Sequence, residues 1–163
     1  LLKIESTEEQ DASGIRDEVE SGKLILDPYD ENNVIDEWIQ QNMVVWLQVR
    51  PVSPNGPKNT AMCGPGGRWG RACQYPFVRP KPGEWDHFWH AHRVEPSKEV
   101  VRKMFRYHHS TPDSPLSWIT TDMIDMPDYG GGVGYSLFDQ NVAIAEWIRE
   151  TWRETKSSVR SCS

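Results

Sequence analysis

His87-x-x-His90-x-His92 is the one segment of this chain whose residue types and spacing suit metal chemistry. Imidazole is the commonest zinc ligand, and residues two apart on a strand point the same way. His90 and His92 can therefore share an ion, with His87 close by. Asp86, Glu95, His108, His109 and Cys73 are the side chains that would complete four ligands. No His-Glu-x-x-His pattern is present and the flanking residues complete no cupin-type set. The bland reading is a wet, polar-edged cluster of three histidines beside Trp85, Phe88 and Trp89, and it outweighs the metal.

The other constellations are weaker. Gly130-Gly131-Gly132-Val133-Gly134 resembles a phosphate-binding loop, but no Gly-Lys-Ser/Thr follows and Leu137 occupies the last position of the G-x-G-x-x-G register. Asp128 and Asp139 on either side would repel phosphate, so a hinge is expected. Asp122, Asp125 and Asp128 stand three apart without EF-hand spacing, as in a solvated acidic loop. Cys63 has no local histidine partner and no G-x-S-x-G occurs. The sequence thus points away from an enzyme and assigns no catalytic residue. Zinc on the histidines is the only cofactor suggested, and a metal-dependent hydrolase or metal-binding protein using His90 and His92 is the second-ranked function.

Charge patterning says more. The net charge of −6 hides a division. Residues 1–49 hold three Lys/Arg and twelve Asp/Glu, residues 50–109 eleven and four, and residues 110–163 four and eight. Aromatic side chains interleave with the basic middle. Arginine beside aromatic rings is the chemistry of stacking on bases and of clamping phosphate or carboxylate. Arg68, Trp69, Arg71, Arg79, Trp85, Trp89, Arg102 and Arg106 are the expected interaction residues. The competing expectation is that the acidic ends fold back and neutralise the middle. Overall acidity opposes free-standing nucleic-acid binding, because nearby carboxylates repel phosphate within a Debye length.

The 163 residues suit one domain able to bury a true core, although only 37% are apolar. Eight tryptophans compensate in part. No apolar run approaches the roughly 18 residues that span a bilayer, so no membrane insertion is expected. Three cysteines build no disulfide framework, although Cys63 and Cys73 bracket a Gly-rich loop that a bridge can close. An intracellular, reducing setting is expected, with an organelle reached through a removed targeting peptide as the alternative.

The elements that must position these residues read as follows. Residues 1–22 form an acidic peripheral arm with a short helix over 7–21, and a brief strand at 23–26 follows it. Val34, Ile35, Trp38 and Ile39 share one helical face, capped by Asp30 or Asn32, and a strand follows over 43–50. Residues 51–83 hold seven prolines and six glycines and read as a long basic arm, with Arg68-Trp69-Gly70-Arg71 at its tip, that settles on a partner. Residues 85–94 fit a strand or a helix equally. A helix covers 97–108 after Pro96, and short strands are expected at 116–120 and 133–138. The final helix starts at Asp139 and carries Ile144, Trp147, Ile148, Thr151 and Trp152 on one stripe, with a disordered tail over 156–163.

The expected fold class is α+β: three or four helices packed on a small sheet, with long Pro/Gly-rich irregular connections, in a single domain over 23–155. The expected function is a non-catalytic accessory or scaffold subunit. It docks through the basic, Trp/Arg-rich centre into a larger multi-subunit or nucleoprotein assembly, with protein partners and, secondarily, nucleic acid. A weak RNA-binding module ranks third.

Overall fold

A computed structural model describes residues 27–53, 59–63, 69–70, 73–85, 88–124 and 134–161, with the backbone alone described at 53, 59–63, 69–70 and 73. The expected helix over 7–21, the strand at 23–26, the aspartates at 125 and 128, residues 130–133 and the side chains of Cys63 and Cys73 lie outside those descriptions.

Among the described residues, three α-helices and small two-stranded sheets make the fold α+β. Helix α1 (Val34–Gln40) buries Val34 and Ile39. Asn33, not Asp30 or Asn32, is its N-cap: its Oδ1 accepts from the Asp36 amide at 2.9 Å. A cap of this kind contributes about 1 kcal/mol. Asn42 follows at φ 56, a left-handed conformation that asparagine tolerates, and turns the chain toward β1 (Trp46–Val49).

Strand β1 pairs in parallel with β6 (Trp118–Thr121), Trp46 opposite Trp118 and Val49 opposite Thr121. Within 51–83, read as one irregular arm, the chain instead makes two short antiparallel ladders. Strand β2 (Val52–Ser53) pairs with β5 (Cys73–Gln74), and β3 (Asn59–Cys63) with β4 (Trp69–Gly70). Prolines and glycines exclude a helix there but leave room for turns between brief extended pieces.

The ambiguous 85–94 segment resolves into neither alternative among its described residues. It is irregular up to a single 3-10 turn, Ala91–Arg93. Helix α2 (Glu95–Ser110) starts there, with Pro96 in its first turn, and turns Val101, Met104 and Phe105 inward. Helix α3 (Leu137–Ser161) is longer than expected at both ends. Ser136 starts it, its hydroxyl accepting from the Asp139 amide at 3.2 Å, so no strand forms over 134–138. The helix also continues through 156–161. Hydroxyls of Thr155, Ser157 and Ser158 donate to carbonyls one turn back, and Arg160 in the last turn complements the negative end of the helix.

The core lies where α2 and α3 pack beneath the β1–β6 sheet. Phe105, Ile144 and Val101 are fully buried, with Ile39, Val49, Met104, Leu116 and Met123 around them. Trp152 of α3 meets Phe105 edge-on, ring centroids 5.0 Å apart. His109 also packs on Trp152, at 4.2 Å. Burial pushes the His109 imidazolium below its usual 6.5, reinforced by the charges of His108, Lys156 and Arg160 and opposed by a hydrogen bond to the Trp152 backbone. A lowered folded pKa means that the contribution is intact above 6.5 and is lost as the pH falls through the folded value. The melting temperature should therefore decline between about pH 7 and pH 5 more steeply than in a His109→Gln variant; equal slopes in a thermal-melt series would remove the assignment.

Three buried or half-buried carboxamides hold the irregular chain. Each clamps both backbone groups of one residue, as a neighbouring strand would. The Gln74 amide takes the N–H of Ile124 at 3.0 Å and gives to its carbonyl at 3.2 Å. Gln140 does the same for Val78, at 2.9 and 3.1 Å, and Asn141 for Met123, at 3.0 and 2.9 Å. Backbone that belongs to no ladder is in this way satisfied without water.

Candidate functional site

The Gln140 clamp fixes Val78, and Arg79 follows it directly. Beyond lies Pro80-Lys81-Pro82-Gly83, a turn closed by the Glu84 amide donating to the Lys81 carbonyl at 3.0 Å. Gly83 supplies the positive φ of 84 that this turn needs. Glu84 is pinned from the other side by Gly134, where a β-carbon would come within 2.8 Å of the Glu84 carbonyl oxygen. The final glycine of the Gly-rich run thus serves close backbone packing.

That anchorage sets the ring of Trp85 between Tyr75 and Tyr135, edge-on to both at 5.1 and 6.0 Å. Trp89 is fixed by its indole N–H, which donates to the Pro76 carbonyl at 2.8 Å. Buried Tyr75 accepts from the His90 amide at 2.7 Å, which ties the 88–90 segment to the core. Between these fixed rings Phe88 is 89% exposed. The Arg79 guanidinium stands 5.7 Å over the Trp89 ring.

Arg79, Lys81, Trp85, Phe88 and Trp89, with Pro80 and Pro82, line an open cleft of about 340 Å³. Among the described residues, neither Arg79 nor Lys81 forms an ion pair. Three of the expected interaction residues, Arg79, Trp85 and Trp89, meet here. Lys81 and Phe88 were not singled out. The available signal was the Pro-Lys-Pro-Gly turn, which has to project whatever it carries.

The remaining cations are used differently. Arg102 sits 3.2 Å from Glu95 and 3.6 Å from Glu99 and lies over the Trp147 ring, and Arg106 pairs with Glu99 at 2.5 Å. Lys98, Lys103 and Arg50 are bridged to Glu95, Asp36 and Asp122. Burial alone would raise the Glu95 carboxyl, but hydrogen bonds and charge from Lys98 and Arg102 outweigh it and hold the group below the usual carboxylate range. The outer face of α2 is therefore engaged mainly by carboxylates of the same helix, and among the described residues only Lys103 and Arg50 meet the flanking acidic segments, at Asp36 and Asp122. Arg68, Arg71 and the Trp69 side chain lie outside the described residues.

Of the metal candidates, His90 and His92 are exposed with ring centroids 5.3 Å apart, and His87 lies outside the described residues. Among the described residues no group of three His, Cys, Asp or Glu side chains is placed to hold an ion. No helix among them is long and apolar enough to cross a membrane. Compared with models of protein families, with curated proteins and with solved structures, the chain matches none.

Proposed function

We propose that this chain is a non-catalytic docking subunit of a larger assembly and that it engages its partner through the cleft of Arg79, Lys81, Trp85, Phe88 and Trp89. The observation that carries the reading is the contrast in how cations are used. Those on α2 are matched by internal carboxylates, whereas among the described residues Arg79 and Lys81, beside an almost fully exposed phenylalanine, form no ion pair, the nearby Glu84 carboxylate accepting from the Lys81 backbone amide instead. An exposed aromatic between rigid rings and two available cations is the composition of an interface hot spot, where Trp and Arg dominate the binding energy. Rings held by hydrogen bonds lose little freedom on binding. The partner surface that suits them is anionic and offers flat groups for stacking.

The test is a comparison of the tagged wild-type chain with an Arg79→Glu/Lys81→Glu/Phe88→Ser variant. These side chains are solvent-facing, so the circular dichroism spectrum should not change. The stoichiometric partner that co-purifies with the wild type should be lost, with an affinity penalty of roughly 2–4 kcal/mol. Retention of that partner by the variant at unchanged affinity would refute the cleft. A partner that proves to be RNA would show an affinity falling steeply with salt and a slope that flattens in the variant.

The adjacency of His90 and His92 favours one second reading, a metal-binding protein. Stoichiometric zinc in purified protein, lost in a His90→Ala/His92→Ala variant, would raise it above docking.

A further inference from the structure

A second groove, sharing no residue with the cleft, runs between β6 and α3. Its floor is Phe105 and Leu116, its walls Ile119, Ile148 and Trp152, and its volume about 310 Å³. We propose that it is a docking groove for an acidic protein segment that inserts one bulky apolar side chain and sets carboxylates on either side of it.

Charge points to that occupant. Arg149 and Arg153, one turn apart on α3, border the groove and are exposed, and among the described residues neither is ion-paired. Two arginines beside an apolar trough match an apolar anchor flanked by carboxylates, and a guanidinium takes a carboxylate in bidentate fashion.

The extent of apolar surface points to a chain and not to a small amphiphile. Trp118, 71% exposed, forms the lip of the groove, and Trp46, 60% exposed, stands opposite it across the β1–β6 register. The Trp46 indole N–H donates to the Thr120 hydroxyl at 3.0 Å, so its ring is held in place before any partner arrives. Apolar surface therefore continues past the trough over a pair of indoles. Among the described residues β6 has no strand on its other side. An extended segment can lie along that edge while its anchor enters the groove.

A second copy is the competing occupant, distinguished from an acidic segment by its concentration-dependent dimer.

The experiment uses the full chain and a short fluorescein-labelled peptide with Leu-Phe between pairs of aspartates, read by anisotropy and by hydrogen exchange. Expected are saturable binding, protection confined to 116–119 and 148–153, and a loss of about tenfold or more in an Arg149→Glu/Arg153→Glu variant. Replacing the aspartates of the peptide by lysines should abolish binding. The cleft variant Arg79→Glu/Lys81→Glu/Phe88→Ser should bind the peptide normally, which separates this proposal from the first. Absence of binding at millimolar peptide, equal binding of the lysine peptide, or protection outside the groove each overturns it. So does a concentration-dependent dimer that a Trp46→Ser/Trp118→Ser variant dissolves, because a second copy would then be the occupant.

Discussion

Replacing Phe105 by alanine is expected to destabilise the fold by roughly 3–5 kcal/mol, the range for removing a buried aromatic side chain. That is a large part of the about 5–15 kcal/mol by which such a domain is stable. The ring has no solvent exposure and sits where α2, α3 and the segment before β6 converge, in contact with Trp152 and forming part of the groove floor. Three losses coincide: the transfer energy of the ring, its edge-on contact with Trp152, and the cavity that remains between two helices. Helices anchored on both sides cannot easily collapse into that space. Urea titration followed by tryptophan fluorescence measures the effect. A midpoint within a few tenths of a molar of the wild type would mean that this ring is not central to the core. Phe105→Leu should retain much of the stability, because it restores apolar volume at the same point.

The helices and the main sheet were legible in the sequence because their apolar residues repeat with a clear period. Val34, Ile35, Trp38 and Ile39 gave α1, Val100 to Phe105 gave α2, and Ile144 to Trp152 gave α3. The strands before Pro51 and after Pro115 were legible as β-branched and aromatic runs, but their mutual pairing is a long-range fact with no local sign. Element ends were harder. They are decided by single side chains such as Asn33 and Ser136, which compete with several equally suitable neighbours.

The candidate site was half legible. Composition brought out Arg79, Trp85 and Trp89, but it ranked Arg102 and Arg106 with them. Among the described residues, what separates the two groups is whether the cation forms an ion pair. For Arg102 and Arg106 the partners are Glu95 and Glu99 on the same helix, at spacings of three and seven residues. Once the segment is read as helical, those spacings place the charges on one face. For Arg79 the neighbours come from a proline turn whose path depends on Gln140, more than sixty residues away. A polar residue inside a predicted helix gives no hint that it holds a remote loop.

Gln140→Leu should make that dependence measurable. The substitution keeps the approximate volume and a helix-favouring side chain, so α3 itself is not weakened. It removes the two hydrogen bonds to Val78, at 2.9 and 3.1 Å, and leaves that residue's N–H and carbonyl facing an apolar side chain. Gln140 is only 3% exposed, but Val78 is 40% exposed, so water can reach part of the freed backbone. Losing these two hydrogen bonds carries a penalty of about 1–2 kcal/mol. The loss should not be spread evenly through the molecule. Arg79 follows Val78 directly and Lys81 lies two residues further on, whereas Phe105 lies on a separate helix. Hydrogen exchange should therefore accelerate most at 77–85, and the cleft should lose affinity for its partner while the groove between β6 and α3 keeps its own. A Gln140→Glu variant separates geometry from hydrogen bonding. A carboxylate still accepts from the Val78 amide but repels its carbonyl, so it should fall between wild type and leucine above the carboxyl pKa and recover on protonation. Uniform acceleration across the chain, or equal loss at both surfaces, would show that the clamp serves global stability and does not specifically position the cleft.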